Sequence, residues 1–252
     1  MNEHVSYHRR NSPRYEAVLN AIESLMETRG DRTLRIVEVG APPFLFTEML
    51  VDRFPEAEII ATGYGDNKES KAINGQDVPV YNFNVEEDTW PFDNTSVDVI
   101  TFMSIIEHLF DPLNALIEAR RVLDHQGHFL LTTPNAIRIE VRLRTLFGEN
   151  PYDPYALESP YNRHQHEFTM KELNNLLPTA GLFPTRTYTV PLDRTDLIPQ
   201  LFQKVTEITE TWGDHIIVKS ERGEPEVRLP DAYRQGLTES RTTHPAHERL
   251  MK

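Results

Sequence analysis

The chain has 252 residues, 38% of them hydrophobic, enough to bury one sizeable core with a small appendage. It contains no cysteine, which removes disulfides, thiolate metal sites and cysteine nucleophiles together. Its formal net charge of -13 repels phosphate over most of the surface, so nucleic acid is excluded as the expected partner.

The opening stretch MNEHVSYHRRNSPRYEAV lacks the apolar segment of a secretory signal, and no run of about 18 apolar residues follows, so a cytoplasmic location is expected. From Pro13 to Arg29, Val18, Ile22, Leu25 and Met26 keep the period of an amphipathic helix, with Ser12 as its cap and Pro13 in its first turn. LRIVEVG (34–40) is a short, β-branched, nearly continuous apolar run ending in glycine, which predicts a strand buried on both faces. PFLFTEMLVDRF (43–54) predicts a helix, AEIIATG (57–63) a second strand, and VPVYNF (78–83) a third.

VDVITFM (97–103) predicts a fourth strand, and PLNALIEARRVL (112–123) a helix capped by Asp111 with Pro112 at its first position. GHFLLTT (127–133) is the fifth strand. Alternating strands and helices of these lengths imply βαβ units on a parallel sheet, with ligands beyond the carboxyl ends of the strands. After Pro134 the composition changes: NAIRIEVRLRTLFG is amphipathic, and ENPYDPYALESPYNRHQHEF is rich in Pro, Tyr and Asn, as in an insertion capping those strand ends. A helix at 169–181, a strand at 182–190, a helix at 196–210 and a last strand at 214–220 follow, and 221–252 offers little to bury and reads as a mobile tail.

WPFDNTSVDVITFMSIIEHLFDPLNALIEARRVLDHQGHFLLTTPN carries, in order, PF, an acidic strand, EHL, DP, an RVL helix end, a glycine turn and TPN. HQHEFT is similar to H-x-R-E-[YF]-T, with His166 in place of the arginine. In these features the chain resembles the class I S-adenosylmethionine-dependent methyltransferases, in particular a small-molecule branch often encoded with polysaccharide-biosynthesis genes. The likeness covers residues 34–220. It implies an α/β, Rossmann-like fold: a seven-stranded, mostly parallel sheet in the order 3-2-1-4-5-7-6 with helices on both faces; the periodic helix described above sets off 1–33, and composition marks 134–168 as the cap insertion. It also implies S-adenosyl-L-methionine as cofactor and methyl transfer to a small acceptor, read here as a sugar hydroxyl in glycan or glycolipid assembly.

The cofactor-binding positions that the resemblance implies are Glu38, Gly40 and Ala41 after the first strand, and Tyr64, Gly65 and Asp66 after the second. Asn84 and Val85 follow the third strand, Met103 and Ser104 the fourth. The family's E-x-G-x-G-x-G is represented by Glu38, Gly40, Pro42 and Phe44, and a positive φ is forbidden to Pro42 and resisted by Phe44. The second-strand carboxylate falls one residue late, at Asp66, and Asn84 replaces an acidic residue. S-adenosylmethionine has no pyrophosphate and needs no fan of helix N-terminal donors, whereas NAD would require glycine at Pro42 and Leu45. Two readings follow: a reshaped loop that binds the cofactor, or a catalytically silent binding or assembly module on the same fold.

Methylation of a hydroxyl needs a base, and imidazole is largely neutral near pH 7. His108, just past the fourth strand, and His164, at the end of the insertion, are the candidate catalytic residues. His164, His166 and Glu167 have metal-ligand chemistry but no third separated ligand at a recognisable spacing, so no metal is expected. Arg138, Arg142 and Arg144 accompany Ile139, Leu143 and Leu146, a composition suited to anionic lipid or a lipid-linked acceptor, with peripheral membrane contact through 137–147. Tyr152, Tyr155 and Tyr161 could stack on a sugar ring.

Overall fold

A single sheet of eight strands forms because most of its strand segments are apolar at successive positions and can be covered on both faces. The computed structural model describes residues 3–29, 32–64, 69–150, 164–191 and 211–225. In chain order they form α1 (Glu3–Arg29), β1 (Arg35–Val39), α2 (Leu45–Arg53), β2 (Glu58–Gly63), β3 (Glu69–Ile73), β4 (Gln76–Asn82) and β5 (Val97–Met103). A 3-10 turn (Ile106–His108) then leads to α3 (Pro112–Val122), β6 (Leu123–Pro134), α4 (Ile139–Leu146), α5 (Met170–Thr179), β7 (Leu182–Val190) and β8 (His215–Arg222).

The sheet order is β3-β4-β2-β1-β5-β6-β8-β7. Without the edge strand β3, the other seven run 3-2-1-4-5-7-6 in chain order, as expected; the count is eight, not seven. The extra strand is a hairpin partner of β4, joined to it by Asn74 and Gly75 with φ of 48° and 86°. Both residues sit in the left-handed region that a two-residue hairpin turn requires. ESKAI escaped the strand reading because Ser70, Lys71 and Ala72 are exposed, leaving no apolar period ahead of the buried Ile73.

β1 pairs in parallel with β2 and β5, and β5 in parallel with β6, while β8 runs antiparallel to both β6 and β7. Successive side chains divide between the two faces. Val37, Val39, Ile100, Phe102, Phe129 and Leu131 pack with Leu116 of α3 and Leu173 of α5. Ile36, Ile59, Ala61, Val99 and Leu130 pack with Val18 and Ile22 of α1 and Leu50 of α2. α1 starts at Glu3 and carries Pro13 in its interior, so the expected start at Ser12–Pro13 is displaced upstream. Proline removes its own N–H and clashes with the carbonyl four residues back, a local cost that tertiary packing can override.

Much of the longest sequence motif holds the fold together. Asp98, buried in β5, accepts the N–H of Arg35 at 2.9 Å and so fixes the entry to β1. Arg121 of the RVL helix end donates to the carbonyls of Trp90 and Phe92, to Asn94 and to Glu118, and Glu118 in turn accepts the N–H of Trp90 at 2.8 Å. That network clamps the WPF turn over α3. Asn135 of TPN donates to the carbonyls of Thr211 and Gly213, and Ala136 N–H donates to the carbonyl of Phe168. The two ends of the segment between Pro134 and Phe168 therefore meet beside β8.

Candidate functional site

β1 and β5 are neighbours in the sheet, but the chain leaves β1 toward β2 on one side and continues from β5 toward β6 on the other. Their carboxyl ends thus flank the switch point at which open α/β sheets bind ligands. Gly40 ends β1 with φ 71° and Ser104 follows β5 with φ 60°. A Cβ on Gly40 would overlap the terminal carbons of Ile105 in its present position, and the left-handed backbone strains any other residue there. The N–H groups of Gly40 and Ala41 donate to the hydroxyl and carbonyl of Thr62, tying the loop to β2.

Phe44 adopts φ 73°, the left-handed geometry the glycine pattern calls for, so the expected resistance is overcome rather than avoided. The cost of such a conformation in a residue with a Cβ is about 1–2 kcal/mol. Its ring lies beneath Lys71 of β3, with Nζ 3.8 Å from the ring centroid. The edge strand missed in the sequence thus supplies one contact to Phe44, which also packs against the core. Pro42 lies close to Gly63, whose absent Cβ would sit 3.5 Å from Pro42 Cγ.

Glu38 is buried at 2% exposure, and its Oε2 accepts the Thr47 hydroxyl at 2.5 Å. Burial pushes its pKa from 4.5 up to about 8, against the lowering effect of that hydrogen bond. Tyr64 is 81% exposed at the end of β2, and Gly65 and Asp66 lie outside the described residues. Asn84 accepts the Glu86 N–H on Oδ1 and donates its own N–H to Asp88, building a local turn. The carbonyl of Val85 accepts the Trp90 indole N–H at 3.1 Å. Met103 packs, partly buried, on the α1–α2 side of the sheet.

The residues fit a cofactor of the expected kind: bare backbone at Gly40, a buried carboxylate at Glu38, and an obstruction consisting of the far end of one flexible side chain, Ile105.

On the β5–β6 side a second polar cluster forms. Arg14, buried in α1, donates to Ser104 Oγ, lies 3.1 Å from His215 Nε2 and donates to the Tyr15 hydroxyl. Glu107 is fully buried; its Oε2 accepts the Thr133 hydroxyl at 3.0 Å, and its Oε1 has no hydrogen-bond partner among the described residues. Burial raises its pKa, opposed by its own backbone N–H, by Thr133 and by the charges of His164 and Arg14.

His108 and His164 are brought together, ring centroids 5.0 Å apart and nearly perpendicular. The carbonyl of Glu107 accepts the N–H groups of Gln165 at 2.7 Å and His166 at 3.2 Å, which ties the chain at Gln165–His166 to the turn carrying His108. His164 Nδ1 is 3.1 Å from Glu167 Oε1, and Glu167 Oε2 accepts from Arg138 at 2.5 Å. Burial favours protonation of Glu167, but the hydrogen bonds from His164 and Arg138 outweigh it and hold the carboxyl below its ordinary pKa. When the His164 ring is neutral, an ionised Glu167 selects the tautomer with the proton on Nδ1 and the lone pair on Nε2. His166 turns away, to 3.5 Å from Glu172.

The arginines of 137–147 are largely engaged within the chain. Arg138 pairs with Glu167, Arg142 bonds the Ile137 carbonyl and stacks on Trp212, and Arg144 pairs with Glu149. Leu146 and Phe147 remain, both nearly four-fifths exposed. Tyr152, Tyr155, Tyr161 and the segment at 196–210 lie outside the described residues. No described helix is long and apolar enough to cross a membrane.

Sequence reasoning gave no role to Arg14 or Thr133, and none to Glu167 except in a metal set. Only topology brings Arg14 to the site, whereas Glu167 carried a signal, its three-residue offset from His164.

Residues 7–185 match a family model described as a methyltransferase domain. Over 91 residues the chain is 36% identical to a probable S-adenosylmethionine-dependent methyltransferase of Mycolicibacterium smegmatis, a stretch covering 36% of this chain and 30% of that protein. A Mycobacterium tuberculosis protein of the same description is 33% identical over 91 residues, 36% of this chain and 28% of its own length. The matched stretch thus spans under a third of these curated relatives. A SAM-dependent methyltransferase from Thermotoga maritima superposes with a TM-score of 0.55 at 17% identity, covering 87% of this chain and 94% of that one. A Burkholderia thailandensis 1,6-didemethyltoxoflavin-N1-methyltransferase, solved with its substrate and S-adenosylhomocysteine, gives 0.55 at 15% identity, covering 87% and 81%. At these identities the structural likeness establishes the fold.

Proposed function

The chain belongs to the methyltransferase-domain family, and from that premise we propose that it methylates a hydroxyl of a small acceptor, a sugar in glycan or glycolipid assembly, free or lipid-linked. S-adenosyl-L-methionine supplies the reactive methyl group. Glu38, Gly40, Ala41, Tyr64, Asn84, Val85, Met103 and Ser104 are the described positions that would hold it, and the sequence adds Gly65 and Asp66, which lie outside the described residues. Glu38 meets the cationic methionine end, and Gly40 allows backbone to close on the ligand.

The reading is carried by one observation: His164, beside His108, is hydrogen-bonded through Nδ1 to a Glu167 that is itself held ionised by Arg138. That chain of contacts supports a tautomer whose lone pair is on Nε2. The bound cofactor would supply an electrophilic methyl group on its sulfonium, and His164 Nε2 would take the proton of the acceptor hydroxyl. The base contributes on the order of a hundred- to ten-thousandfold, and alignment of the reactants accounts for most of the remainder. This favours oxygen as the methylated atom over nitrogen or carbon. Leu146 and Phe147 offer a peripheral contact at the inner face of a membrane, suited to a lipid-linked acceptor.

The test is transfer of labelled methyl groups from S-adenosylmethionine to a panel of nucleotide sugars and lipid-linked glycans. Label in a sugar hydroxyl that is lost in His164→Ala supports the reading. Absence of S-adenosylhomocysteine binding at millimolar ligand, with no label transferred, supports the silent binding module, the reading favoured by Ile105 packed on Gly40.

A further inference from the structure

We propose that Glu107, His108 and His164 form a binding site for one divalent cation of borderline softness, such as Zn2+. One ligating atom from each of the three lies within 4.8 Å of the other two. Around zinc such atoms stand about 3.3 Å apart in a tetrahedral shell, so the three groups would have to draw together on binding. Two imidazole nitrogens and one carboxylate oxygen suit zinc and its transition-metal neighbours over Mg2+ or Ca2+, which prefer all-oxygen shells.

A second observation points to a ligand. Glu107 is fully buried, yet its Oε1 has no hydrogen-bond partner among the described residues, and a buried polar atom left so is costly. A cation satisfies it. The surroundings already have the form of a metal's outer shell: Thr133 bonds the second oxygen of Glu107, Glu167 bonds the Nδ1 of His164, and Arg138 bonds Glu167. The third ligand that sequence spacing lacked is thus Glu107, brought in when its carbonyl bonds the N–H groups of Gln165 and His166. His166, next to His164 in sequence by two positions, is not part of it.

The consequence rests on the proposed role of His164: a cation takes the lone pair that accepts the hydroxyl proton. Zinc and base catalysis therefore exclude one another, and zinc inhibits methyl transfer.

The experiment is calorimetric titration of the full, chelator-treated chain with Zn2+, together with the visible absorption of Co2+ added in its place. One tight equivalent is expected, with a Co2+ spectrum of low coordination number. His108→Ala and His164→Ala should weaken binding at least a hundredfold, and Glu167→Gln, which removes no ligand, about tenfold. His166→Ala should change it less than twofold. Binding that is absent, or weakened as much by His166→Ala as by His164→Ala, overturns the site; Glu167→Gln and His108→Ala keep the test decisive if a Glu107 variant fails to fold. S-adenosylhomocysteine titration of the same sample separates the two ideas. Cofactor without zinc removes only the cation site, and zinc without cofactor removes only the methyltransferase reading.

Discussion

Replacing Glu38 by glutamine should stabilise the ligand-free protein, by an amount that grows with pH. In the folded chain burial raises the carboxyl from 4.5 to about 8, so the folded state holds a proton that the unfolded state has released. Stability of the wild type therefore falls as pH rises between those two values, because the unfolded chain binds fewer protons there. Linkage puts the loss at about 1 kcal/mol at pH 5.5 and about 3 kcal/mol at pH 7, rising further toward pH 8.5. Glutamine keeps the shape and an oxygen for the Thr47 hydroxyl but carries no charge to desolvate. Urea unfolding of both proteins across this range should show a gap widening by about 3 kcal/mol between pH 5.5 and 8.5. A gap that stays flat, or a variant less stable than the wild type at pH 8.5, would refute the account of Glu38 as a carboxyl kept neutral by its surroundings. The same variant should bind S-adenosylhomocysteine at least tenfold more weakly, since the group that destabilises the empty protein is the one that meets the ligand's cationic end.

Gly40→Val should abolish S-adenosylhomocysteine binding in calorimetry, since the side chain meets Ile105 and the backbone is left-handed, whereas Pro42→Gly should leave binding intact or tighter. Equal losses in both would mean that the loop depends on the proline. His164→Ala should lower the methylation rate by about a hundred- to ten-thousandfold with cofactor affinity unchanged, read from steady-state kinetics and calorimetry. Arg121→Met should cost about 2–3 kcal/mol in urea unfolding, because Glu118 and two carbonyls lose their donor, with no effect on cofactor affinity.

The sheet was legible because most of its strands are short apolar runs between turn signals, and burial on two faces leaves few other arrangements. β3 was not, since an edge strand facing solvent carries no apolar period, although Asn74-Gly75 marked its turn. The motif from Trp90 to Asn135 was legible as a family signature, yet Asp98, Arg121 and Asn135 serve the scaffold. A recurring residue does not announce whether it holds backbone or substrate. Phe44 shows the limit of reading a backbone angle from a side chain: propensity disfavours its geometry by about 1–2 kcal/mol, and the surrounding packing outweighs that. The pairing of His108 with His164 lay beyond any spacing rule, because it depends on main-chain bonds between segments distant in sequence.

Those main-chain bonds from Gln165 and His166 to Glu107 have an evolutionary corollary. The chain that returns at Gln165 and the turn that bears His108 share one anchorage. A shift of that return path would carry both imidazoles along, so substitutions that preserve their pairing should fall away from Gln165 and His166.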